Sequence, residues 1–187
     1  VVFLGISRMN TQRPWIKPDF FNGAYRATRH FIETGRERIG LLLSSEGSLG
    51  SIEFQAGYCA ALIETKRPVA QDLIAFTGRQ VYTVPDVAAP LLDGGADAVL
   101  CHDDETAAQL MQVARWANKA IPGDLALIGA NDSMGPVPGY PTLSTLVFPT
   151  VAMGRLARDM VLQECVHRVP TDHAAVFQPD MILRESG

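Results

Sequence analysis

Ala98-Val99-Leu100-Cys101-His102-Asp103-Asp104-Glu105-Thr106-Ala107 brings together an apolar run, a polar knot and the start of a helix. Residues 98–101 are apolar without alternation, the pattern of a short strand covered on both faces. The acidic residues after it suit a helix start, because Asp103 or Asp104 can accept from free N–H groups and their charge favours the positive end of the helix. Leu110, Val113, Ala114 and Ala117 then recur at helical spacing, predicting a helix to about Lys119. A buried strand that feeds a helix through a polar turn is the repeating unit of a parallel α/β sheet.

The same unit recurs in both directions. Ile39–Leu43 is wholly apolar, and a helix from about Ile52 to Lys66 follows a Ser/Gly loop at 44–51. Residues 73–76 read as a short strand, and Val84–Leu92 reads as a helix with Pro85 in its first turn. Leu125–Ile128 is another apolar strand, closed by Gly129. Toward the start, Val1–Ile6 reads as a buried strand and 7–18 as a polar loop. A helix opens at Asp19 or Asn22, places Ala24, Ala27, Thr28 and Phe31 on one face, and ends before Gly35. Residues 130–148 read as loop, Pro149–His167 as a last helix, and 176–177 and 181–183 as edge strands. Alternation of strand and helix predicts a doubly wound α/β fold with right-handed crossovers. Ligands of such sheets bind outside the carboxyl ends of the strands. The loops of interest are therefore 5–18, 44–51, 76–79, 102–105 and 130–140.

The 187 residues are 47% hydrophobic and 19% charged, which fits a globular chain and excludes global disorder. Sixteen basic against twenty acidic side chains give a formal net charge of −4. That argues against a free-standing nucleic-acid binder, whose footprint is basic, but not against a regulatory module whose DNA-binding part lies elsewhere. Cys59, Cys101 and Cys165 are odd in number and widely spaced, so a reducing compartment is expected rather than a disulfide scaffold. No apolar run approaches a membrane span. The chain starts without Met, directly on an apolar strand, which reads as the interior of a longer protein.

Each candidate for chemistry has two readings. His102-Asp103-Asp104-Glu105 reads as a helix cap first and as a polar ligand contact second. Adjacent residues do not converge on a metal readily, and no metal or cofactor is expected. Asn131-Asp132-Ser133 follows the 125–129 strand and can either bind hydroxyls or close an Asx-turn. Ser44–Ser51 lacks the order and the lysine of a phosphate-binding loop. No GxSxG elbow and no triad can be assembled, so the chain is read as a non-enzyme. Trp15, in a polar stretch, is a candidate to cover a ligand or partner.

Segments spread along the chain resemble one family. Asp19–Gly40 (DFFNGAYRATRHFIETGRERIG) is similar to D-x-x-x-G-x-x-A-x-x-H-L-I-x-x-G-H-x-x-I-A. Gly57-Tyr58-Cys59-Ala60-Ala61-Leu62 is similar to G-[YF]-x-x-A-L, and Ala98–Ala107 to A-[VI]-F-x-x-N-D-x-x-A. Ile121–Asp132 is similar to V-P-x-D-[IV]-[SA]-[VL]-[IV]-G-[FY]-D-[DN]. Leu143-Ser144-Thr145-Leu146 matches L-[ST]-T-[VI], Met153-Gly154 falls in the following helix, and Leu183-Arg184-Glu185-Ser186 resembles the closing [VL]-x-R-x-S. In this order they resemble the effector-binding domain of the lactose/galactose repressor family of bacterial transcription regulators.

The resemblance implies a periplasmic-binding-protein-like α/β fold, with two Rossmann-like lobes of parallel sheets and an N-terminal lobe incomplete in this chain. It places 1–22 and 147–170 in the N-terminal lobe, and 23–146 and 171–187 in the C-terminal lobe. It implies a cytoplasmic, homodimeric repressor region with no membrane association. A small-molecule effector, a sugar or sugar derivative, would control operator DNA binding through a headpiece absent from this chain. The alternative is a periplasmic-type solute-binding protein of the same fold. The implied effector-binding residues are Ser7, Trp15, Phe54, Asp103 and Asn131. Phe54 stands where the family usually has a sugar-gripping arginine, Gly5 where it often has an aspartate, and Asp103 and Asn131 exchange the usual amide and acid. Loss of that guanidinium removes five donors in a rigid fork, and leaves open a less hydroxylated or more apolar ligand, or a degenerate pocket. A lobe lacking its first strands would expose a sheet edge, so this piece alone is expected to be poorly stable.

Overall fold

The computed structural model describes residues 2–5, 13–44, 47–78, 84–167 and 174–187. They form two compact units, Val1–Asp19 with Phe148–Pro179, and Phe20–Val147 with Asp180–Gly187.

In the first unit, β1 (Phe3–Leu4), β2 (Trp15–Pro18) and β8 (Ala174–Phe177) form a parallel sheet in the order β1-β2-β8. Helix α5 (Thr150–Cys165) packs its Met153 and Met160 with Ile16, and Val2, Leu156, Ala175 and Phe177 close the cluster. One expectation is corrected here. The 7–18 stretch is not loop to its end, because Trp15-Ile16-Lys17-Pro18 alternates half-buried and buried as a strand should. Ala174–Phe177 pairs with Trp15–Pro18 over four residues and lies in the first unit, whereas Asp180–Gly187 lies in the second.

The second unit holds a six-stranded sheet, β4-β3-β5-β6-β7-β9, parallel except for β9 at the edge. Its strands are β3 (Ile39–Leu43), β4 (Ile74–Phe76), β5 (Ala98–Cys101), β6 (Ala126–Ala130), β7 (Ser144–Val147) and β9 (Asp180–Ile182). Every residue of β3, β5 and β6 is buried, which explains their unbroken apolar sequences. Leu42, Val99, Cys101 and Leu127 pack against Val84, Ala88 and Leu91 of α3 (Val84–Asp93) and Ala107, Leu110 and Ala114 of α4 (Asp104–Trp116). By the two-residue strand period, Leu41, Leu43 and Leu100 face the other way. Helices α1 (Phe20–Glu33) and α2 (Leu49–Glu64) bury Phe31, Phe54 and Tyr58, and Tyr58 donates to the Ile39 carbonyl at 2.6 Å.

The helices α1 and α2 pack so closely that a Cβ at Gly57 would fall 2.1 Å from the Phe21 carbonyl oxygen. Helix α2 starts three residues before the expected Ile52. Ser48 is its cap, accepting from the Ser51 N–H at 3.1 Å. Strand β7 replaces part of the expected 130–148 loop. Its polar residues are buried and bonded: Ser144 N–H donates to Ser186 Oγ at 2.8 Å, and Ser186 Oγ donates to the Leu127 carbonyl at 2.7 Å.

Candidate functional site

The carboxyl ends of β3, β5 and β6 bring Ser44, His102-Asp103 and Asn131-Asp132-Ser133 to one edge of the second unit. The register Leu42↔Cys101 makes Ser44 and His102 neighbours although 58 residues separate them. Ser44 Oγ lies 3.2 Å from His102 Nδ1. The imidazole stacks on Phe20 at 6.0 Å between centroids, and meets Phe54 edge-on at 5.2 Å. Burial pushes the His102 pKa below the ordinary histidine value, against the opposing pull of Asp103. Among the described residues its buried Nε2 has no hydrogen-bond partner.

Asp103 is extended, and its Oδ1 accepts from the Thr106 N–H at 2.7 Å, so it caps α4. Asp104, one residue on, is 1% exposed. Its carboxylate accepts from the Thr145 hydroxyl at 2.7 Å, the Ser133 N–H at 2.7 Å and the Ser133 hydroxyl at 3.3 Å. Burial raises its pKa, and these three donors pull it back. A Cβ at Gly129 would lie 2.3 Å from Asp104 Oδ1, so the glycine leaves room for the carboxylate.

Asn131 has φ +96° and Asp132 φ +50°, conformations that Asn and Asp tolerate better than other side chains. The Asn131 N–H donates to the Leu146 carbonyl at 2.7 Å, and its side chain is exposed. Asp132 is bridged by Arg184 at 2.8 Å, and Arg184 also donates to the Leu143 carbonyl at 2.7 Å. The closing Arg184-Glu185-Ser186 segment thus ties down the turn that presents Asn131.

Of the residues singled out in the sequence, Asp103 and Asn131 sit at neighbouring strand ends. They are coupled through the Asp104–Ser133 bond, made one residue after Asp103 and two after Asn131. Phe54 is fully buried beneath His102. Trp15 belongs to the first unit, half-buried in β2, and Ser7 lies outside the described residues. Sequence reasoning did not assemble Phe20, Ser44 and His102 as a cluster. The recoverable signal was that Ser44 and His102 each follow an apolar strand directly. Among the described residues, no group of three or more His, Cys, Asp or Glu side chains could hold a metal ion. No helix among them is long and apolar enough to cross a membrane.

A family model described as a periplasmic binding protein-like domain matches residues 28–187. The transcriptional regulator GalR of Escherichia coli is 31% identical over 166 residues, covering 88% of this chain and 48% of GalR. The regulator MalR of Streptomyces coelicolor is 30% identical over 188 residues, covering 94% of this chain and 52% of MalR. The chain spans about half the length of these relatives, both described as HTH-type transcriptional regulators. A solved complex of the transcriptional regulator CelR with cellobiose superposes with a TM-score of 0.90 at 24% identity, covering 100% of this chain and 58% of that one.

Proposed function

The chain belongs to the periplasmic binding protein-like domain family, and we propose that it is the effector-binding and dimerisation region of a bacterial transcriptional repressor. The observation that carries this reading is its likeness to HTH-type regulators over 88% and 94% of its length. The geometry is in keeping with it. The second unit presents exposed Asn131 and the capping Asp103 at strand ends, where ligands of α/β sheets bind, and the roles of the nearby polar groups are bonding and capping.

In this reading the two compact units are portions of the two lobes of one effector domain. Asn131 and Asp103 contact a small molecule of the sugar class, and Phe54 acts from beneath, through the His102 ring. The bound molecule prefers one arrangement of the domain and so shifts a dimer between states of high and low operator affinity. DNA contacts belong to a headpiece elsewhere in the protein, which suits the net charge of −4. The protein works in the cytoplasm.

The test is binding of the full-length protein to its own upstream intergenic DNA, titrated with sugars, polyols, sugar acids and nucleosides. Release or strengthening of specific binding by one compound supports the reading. Small-molecule affinity without DNA binding moves the protein to the solute-binding class.

A further inference from the structure

We propose that the outward face of α2 is a self-association surface, on which a second copy of this chain packs its own α2 antiparallel about a two-fold axis. The inference is independent of the effector-binding reading.

Helix α2 is apolar all round. Its inner side buries Phe54, Tyr58, Ala61 and Leu62. A surface helix ordinarily turns charged and polar residues to water on its other side. Here Leu49, Ile52 and Ile63 are 47%, 51% and 65% exposed, Ala56 is exposed and Cys59 is half-buried. These residues follow one another at alternating steps of three and four, the a/d seam of a coiled coil. The corresponding run on α5 is Val151, Arg155, Arg158 and Leu162, so guanidinium groups divide its exposed apolar side chains. The α2 seam is undivided.

The seam fits a copy of itself. In a two-fold contact residue i meets j and j meets i. Antiparallel a/d packing sets Ile52 against Ile63 of the second copy at each end, and Ala56 against its Cys59 in the middle. Bulk lies at the ends and small side chains at the centre, so the helices can approach closely along their shared length. No side chain of the seam carries a charge, and Glu64 beside it is engaged by Arg29 and Tyr25 of its own chain. The opposed direction also sets the positive N-terminal end of each helix beside the negative C-terminal end of the other. The seam offers about 400 Å² per copy, within the range of the largest apolar patch on a soluble monomer, and half of the ~800 Å² that each partner gives to a stable complex. Pairing through it is therefore weak and concentration-dependent.

The experiment follows the full-length protein by sedimentation velocity over a hundredfold range of concentration. A reversible step that raises the mass of the smallest species at least twofold is expected at the upper end. Ile52→Glu combined with Ile63→Glu is expected to move that step to at least tenfold higher concentration, with an unchanged thermal midpoint, because both positions are exposed. A second measurement does not need that variant to fold. In a Cys165→Ser background, Ala56→Cys sets a thiol opposite Cys59 of the second copy. Mild oxidation is expected to link the two copies, with a peptide map that joins position 56 to Cys59. The Cys165→Ser parent is expected to form no link at the seam, because Cys59 faces Ala56 rather than itself and two offset thiols are out of bonding range. Absence of the concentration-dependent step, a step unmoved in the folded double variant, or linkage at other positions only, overturns the proposal. So does resistance of the Ala56→Cys thiol to a maleimide in dilute protein, which would mean that another segment of the same protein covers the seam.

Discussion

The Asp104 carboxylate and the Thr145 hydroxyl meet at 2.7 Å in the interior of the second unit, joining the first turn of α4 to the middle of β7. Ser133 supplies two further donors from the turn after β6, so one buried acid gathers three separate segments. Helix α4, strand β7 and the turn carrying Asn131 therefore hold one another in register.

Thr145→Val keeps the shape of the side chain and removes the donor. The Asp104 carboxylate is then left short of a partner where water does not reach it. The expected cost is about 1.5–3 kcal/mol, the range for a hydrogen bond to a charged group. Urea denaturation of the full-length protein checks it, with the unfolding midpoint falling and the slope unchanged. An unchanged midpoint would mean that the bond contributes nothing net.

How much of this arrangement was legible beforehand depends on the distance between partners. Strands β3, β5 and β6 were legible because burial on both faces writes itself into an unbroken apolar run. The Asp103 cap was legible because its partner is three residues away. Burial of Asp104 was not, because its partners lie 29 and 41 residues downstream. Strand β7 was read as loop for the same reason: Ser144 and Thr145 look like solvent-facing residues until Ser186 and Asp104 are placed against them. Strand β2 is short, follows Pro14 and ends on Pro18, and the two prolines disguise it as a turn. Phe54 was legible as a substitution in a ligand position, but its edge-on contact with His102 was not, because the two are far apart in the chain.

Gly57→Ala tests the close approach of α1 and α2. Alanine is favoured over glycine in a helix by about 1 kcal/mol, so propensity alone predicts a gain. The added Cβ would lie 2.1 Å from the Phe21 carbonyl oxygen and 3.0 Å from the Tyr25 nitrogen. Both are backbone atoms of α1, so the two helices must separate. Overpacking of this kind costs about 1–3 kcal/mol or more and outweighs the propensity gain. A lower thermal midpoint is expected, and a raised one would contradict the packing.

The His102 imidazole makes stability depend on pH in a stated direction. Its folded pKa is depressed by burial, so the folded state binds fewer protons than the unfolded state near the ordinary value of 6.5. Its contribution is present in full above that value, and is lost as pH falls through the folded value. Asp104 acts in the opposite sense. Its folded pKa is raised above 3.8, so its contribution improves as pH falls through the raised value. The wild-type profile mixes the two, and His30, also depressed by burial, adds to the first. The difference between wild type and His102→Gln isolates the imidazole. Denaturation midpoints at pH 5 to 8 are expected to fall less on the acid side in the variant, and parallel profiles would count against a buried neutral ring.

Asn131 allows function to be separated from folding, because its backbone and its side chain make opposite demands. At φ +96° an L side chain is strained, and glycine is not. Asn131→Gly should therefore hold or raise stability, and the N–H that donates to Leu146 remains in place. The exposed amide is what disappears. If it binds effector hydroxyls, the loss of one or two hydrogen bonds lowers affinity by about tenfold or more. Asn131→Ala removes the same amide but keeps the strain without the local polar side chain that offsets it, so it should lose effector affinity and stability together. Calorimetric titration with the compound that releases operator DNA, paired with thermal unfolding, distinguishes the two variants. Full affinity in a stable Asn131→Gly protein would assign Asn131 to the turn alone and remove it from the binding surface.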